Sequence, residues 1–79
     1  MSVPPSHVWL GPAPPVNHEV EQWFGFVSAE APSYETALKN MREKASDDFP
    51  GANWIIQVTH QQTPGTVYVS GIAVDMRET

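Results

Sequence analysis

The sequence predicts a single small α+β domain of order β-α-β-β, with one helix packed on one face of a three-stranded mixed sheet. Three observations predict it. Apolar residues recur at helical spacing after Ser33; the stretches on either side alternate as strands do; and Pro64-Gly65 separates the last two strands as a hairpin turn would. The sheet becomes four-stranded if His7-Val8-Trp9-Leu10 joins it as a short edge strand. Residues 1–18 form a proline-rich N-terminal arm and residues 19–79 the domain.

The arm holds five of the eight prolines: Pro4, Pro5, Pro12, Pro14 and Pro15. Proline lacks the amide donor and fixes φ, so no helix or central strand runs here. From Glu19 to Ala29 the chain reads as the first strand, with Val20, Phe24 and Phe26 on one face and Trp23, Val27 and Ala29 on the other. Ala31-Pro32 breaks it. Ser33 is a good N-cap, because its hydroxyl can accept from an orphan amide of the first turn. Glu35 lies where the helix dipole favours an anion. Tyr34, Ala37, Leu38, Met41 and Ala45 make one apolar stripe. Phe49-Pro50-Gly51 ends the helix, since the residue before proline avoids the α region.

The second strand spans roughly Asn53 to Gln61 and the third Val67 to Met76. The loop between them sets the register, and a one-residue slip exchanges the faces. An odd-numbered loop pairs Trp54 with Val74, Ile56 with Ile72 and His60 with Tyr68. A two- or four-residue loop sets Trp54 against Asp75 and Val58 against Gly71. Pro-Gly suits a type II turn, which fits two-residue hairpins poorly, so the odd loop is expected. The first strand, helix and second strand have the length of a right-handed crossover, which makes those two strands parallel.

A chain of 79 residues buries only about 60% of its unfolded surface, so its core needs help. Without cysteine it has neither disulfides nor thiolate zinc sites, and oligomerisation is the remaining helper. The net charge of −5, with only four basic residues, argues against nucleic acid. The start carries no basic and apolar signal pattern, and no apolar run approaches the roughly 20 residues of a membrane span. A cytoplasmic protein with no membrane partner is the expectation. One helix covers one sheet face, and the other is expected to expose Trp23, Val27, Ile55 and Val69, with Trp9 from the arm. These five are the candidate interface with further copies of the chain.

Gly25-Phe26-Val27-Ser28-Ala29-Glu30-Ala31 resembles the G-x-V-x-G-E-A segment that ends the first long strand of the YbjQ family, labelled a heavy-metal-binding domain. Ser33-Tyr34-Glu35, Leu38 and Arg42-Glu43-Lys44-Ala45 are similar to its S-x-Y-E-x-x-L and R-E-x-A helix. Gly51-Ala52-Asn53-Trp54-Ile55-Ile56 is similar to its G-A-N-A-V-V corner, and Gly71-Ile72-Ala73-Val74 to its G-T-A-V. The chain resembles a shortened YbjQ-like protein over residues 19–76. It lacks the family's middle segment, which is cut here to Pro32, and has Ala29 where the family has glycine. The resemblance implies a small α+β subunit assembling into a ring, typically of five copies, with no established biochemical role. The small periplasmic BhsA-type proteins share the helix-GA-strand-hairpin pattern but carry a signal peptide.

Metal sites need three or four converging ligands. His18, Glu19 and Glu21 cluster at a strand start, and copies of His60 meet only on an oligomer axis. No cofactor is expected, although Trp9, Trp23 and Trp54 offer rings for a flavin or another planar ligand. For catalysis, Asp47 and Asp48 diverge at a helix end, and His60 opposite Tyr68 is the one neighbouring pair suited to proton chemistry. No catalytic residue is assigned. The expected function is that of a non-enzymatic, self-assembling subunit; the alternative is a small-ligand or metal-binding module on an oligomer axis or the tryptophan-rich face.

Overall fold

The structure, a computed structural model, describes residues 2–79. Its helix α1, Tyr34–Asp48, starts where the cap predicts: the Thr36 N–H donates to Ser33 Oγ at 3.3 Å. The Phe49 N–H closes the last turn on Ala45 O at 2.9 Å. Ala37, Met41 and Ala45 are fully buried, and Tyr34 and Leu38 pack at the edges of the same stripe. The helix was legible from its residues alone.

Strands β1 (His18–Ala31), β2 (Trp54–Thr63) and β3 (Thr66–Glu78) form one sheet in the order β1-β3-β2. Both ladders are antiparallel, which corrects the mixed sheet expected from the sequence. The crossover does make β1 and β2 run the same way, but β3 returns between them and separates the parallel pair. The arm begins with a short 3-10 turn at Pro5–His7. It supplies an isolated parallel bridge, Val8 to Ile55, rather than a fourth strand. There the Trp9 N–H donates to Ile55 O at 2.8 Å, and the Val58 N–H donates to Trp9 O at 3.2 Å. Val3 plugs the helix-side core, and Arg42 Nη1 donates to its carbonyl at 3.2 Å.

The hairpin turn contradicts the odd loop. Thr63 pairs with Thr66, leaving two loop residues, and Gly65 takes φ 81° as the third position of a type II turn requires. Even so, Trp54 faces Val74 and Ile56 faces Ile72, as the coherent core demands. A bulge between Ile56 and Thr59 reconciles the two, with Gln57 at φ 54°. The extra residue shifts the register between the turn and the strand start. His60 therefore lies opposite Val69, and Tyr68 opposite Gln61, so the expected His60–Tyr68 pair does not form.

Two further bulges interrupt β1, between Val20 and Gln22 and between Trp23 and Gly25. Their effect is to put Val20, Trp23 and Phe26 opposite Met76, Val74 and Ile72 in successive rows of one face. Phe24 goes to the helix side, where it stacks on Phe49. Strict alternation had assigned these faces differently.

The helix packs on the face expected to be bare. Val27, Ile55 and Val69 are 3%, 0% and 2% exposed and belong to the core beneath α1, so they form no open interface. The reason is shape. This face carries Ala29, Ala31, Gly71 and Ala73 between the valines, low enough for a helix to approach. A Cβ on Gly71 would lie 2.7 Å from Ile55 Cγ2. The aromatic face would hold a helix too far off. On that open face a smaller core of Ile56, Val74 and Met76 excludes water, with Val20, Trp54 and Ile72 around it.

Asn53 ties the corner to the sheet. Its Nδ2 donates to Met76 O and its Oδ1 accepts from the Met76 N–H, both at 2.8 Å, so the side chain continues the ladder as a strand residue would.

Candidate functional site

Of the proposed ligands, Glu19 and Glu21 do meet, but around Arg77. The Arg77 Nε lies 2.7 Å from Glu19 Oε1 and 2.9 Å from Glu21 Oε1, and Nη2 also pairs with Glu19. Glu19 is Arg77's cross-strand partner, so the ladder itself creates the triad. The hydrogen bond and charge of Glu19, then the charge of Glu21, raise the guanidinium pKa above its ordinary value. His18 turns away. Its Nδ1 is 2.9 Å from Val16 O and its ring lies edge-on to Trp54, centroids 5.2 Å apart. His60 packs edge-on against Tyr34 near the start of α1, centroids 5.1 Å apart. Measured along β3, nine residues separate their partners Val69 and Glu78, roughly 30 Å of strand. Among the described residues, no three His, Asp or Glu side chains are placed to share a metal ion.

The tryptophans do lie on one side of the sheet. Trp23 and Trp54 flank Val74 in a single cross-strand row of the open face. Val8 packs into the helix-side core, so its neighbour Trp9 turns to the opposite side. Trp54 is held by the arm: His7 stacks on it with centroids 4.3 Å apart and planes 5° from parallel, while His7 Nδ1 donates to Asn53 O at 2.8 Å. Trp9 Nε1 donates to Ala13 O at 2.6 Å. Trp23 is the most open of the three, at 55% exposure against 37% for Trp9.

The open face changes character along its length. Its rows run Trp23–Val74–Trp54, then Phe26–Ile72–Ile56, then Ser28–Ser70–Thr59, then Glu30–Tyr68–Gln61. In the apolar half Phe26 is 84% exposed, an unusual position for a phenylalanine in the middle of a strand. In the polar half Thr59 Oγ1 and Ser70 Oγ lie 3.1 Å apart over a depression of about 560 Å³. Sequence reasoning missed both features. The hydroxyl row comes from three strands and becomes a row only once the bulged register is known.

The sequence matches no known family model, and no curated protein matches it. No helix among the described residues is long and apolar enough to cross a membrane.

Proposed function

We propose that the chain is a non-enzymatic cytoplasmic subunit that assembles with copies of itself through the apolar half of the open face. The observation that carries this reading is Phe26, almost fully exposed beside Trp23 on a sheet face that no element among the described residues covers there. Leaving such a ring in water forfeits about 2 kcal/mol that burial would return. A small core with no disulfide has reason to recover it from a sister copy. The YbjQ-like resemblance, with its ring of about five subunits, agrees with this reading. The patch is displaced from the one expected: Trp23 stays in it, while Val27, Ile55 and Val69 give way to Phe26 and Ile72. The depression beside the patch favours a second reading, in which the same face also receives a small ligand.

Light scattering at tens of micromolar tests the assembly. The expected mass is several times 8.7 kDa, falling to the monomer in a Trp23→Ser/Phe26→Ser variant. A wild-type monomer would overturn the reading.

A further inference from the structure

We propose that the depression on the polar half of the open face is a binding site for a neutral oligosaccharide laid across the strands. The proposal is independent of self-assembly, since it uses Ser28, Ser70, Thr59, Glu30, Tyr68 and Gln61 rather than the Trp23–Phe26 patch.

Shape comes first. Ser28, Ser70 and Thr59 are short side chains between two rows of taller ones, so they form the floor of a trough. The three hydroxyls stand in one cross-strand row, with Thr59 Oγ1 and Ser70 Oγ 3.1 Å apart. The row Glu30–Tyr68–Gln61 bounds the trough about 7 Å to one side of its floor and supplies the exposed Tyr68 ring. An exposed ring takes the C–H face of a pyranose and leaves the sugar hydroxyls free for the floor.

Hydrogen-bonding capacity comes second. Among the described residues the side chains of Ser28, Glu30, Gln61 and Tyr68 make no hydrogen bond inside the protein. Thr59 and Ser70 bond each other, which consumes one of their two hydroxyl protons and leaves the other, with lone pairs, for a ligand. The site therefore offers donors and acceptors together, as a polyol requires.

Charge comes third. The lining carries one carboxylate, Glu30, one ammonium, Lys44 of α1, and the His60 imidazole. A phosphate or sulfate ligand calls for a cluster of cations, and a lipid calls for an apolar lining. Neither is present in the trough.

The test is a titration of the ¹⁵N-labelled full chain with cellohexaose, chitohexaose, maltohexaose and laminarihexaose, followed by amide shifts. The expected result is saturable shifts at Ser28, Thr59, Gln61 and Ser70 with at least one hexasaccharide, and about tenfold weaker binding in Gln61→Ala and Tyr68→Ala. Both residues are exposed, so these variants keep the fold, and circular dichroism verifies it. No shift at these amides with any of the four sugars up to about 10 mM would overturn the site. Unchanged affinity in both variants would do the same. The two readings fail separately: the Trp23→Ser/Phe26→Ser variant reports on assembly through its mass, and Gln61→Ala reports on the sugar site with assembly intact.

Discussion

The two faces of this sheet are made from the same three strands, yet they obey different rules. The helix side is built of small and branched residues, Ala29, Ala31, Gly71, Ala73, Val27, Val67 and Val69, and it is sealed under α1. The open side carries the larger rings, Trp23, Phe26, Trp54 and Tyr68, and is closed only where Ile56, Val74 and Met76 are packed over. A helix needs a low surface to pack closely, so apart from Phe24, which stacks on Phe49, the strands turn their smaller side chains inward and their larger rings outward. This inverts the habit of equating size with burial. Exposure of the large rings is thus a consequence of how the core was built, and it leaves a surface available for binding.

That contrast can be broken by substitution, beginning with the largest expected effect. Met41→Ala removes a fully buried side chain over the helix-side face and should cost about 2–5 kcal/mol in urea unfolding. A cost below about 1 kcal/mol would mean the helix side is not the main core. Gly71→Ala is the subtler probe. Its Cβ would sit 2.7 Å from Ile55 Cγ2 and 3.0 Å from Val58 Cγ2, both branched and buried, so a loss of about 1–3 kcal/mol is expected from overpacking. If Gly71→Ala unfolds with the wild type, the β2 side chains Ile55 and Val58 do not crowd this position as described. Phe26→Ser on the open side should change the stability of the monomeric fold by no more than about 0.5 kcal/mol, while lowering the mass in solution. A large loss there, at a concentration where the chain is monomeric, would erase the distinction between the faces.

The sequence made the helix legible to the residue, because capping and a 3.6-residue stripe are local signals. Strand positions were legible within a few residues, and so was the strand-start pairing of Trp54 with Val74. The face assignment was not. Alternation distinguishes two faces without saying which one the helix takes, and three bulges break the period of two on which it rests. The metal candidates failed for a related reason: Glu19 and Glu21 are near in sequence, but Arg77, 58 residues from Glu19, is what the ladder places between them. The hydroxyl row had no local signal at all.

What the residues determined by themselves is the set of elements, since caps, proline breaks and apolar periodicity act within one or two turns of chain. Which side of the sheet faces water was settled only when the strands paired. A bulge costs one residue locally yet re-aims every side chain beyond it, and the helix chooses between the resulting surfaces by how closely it can approach.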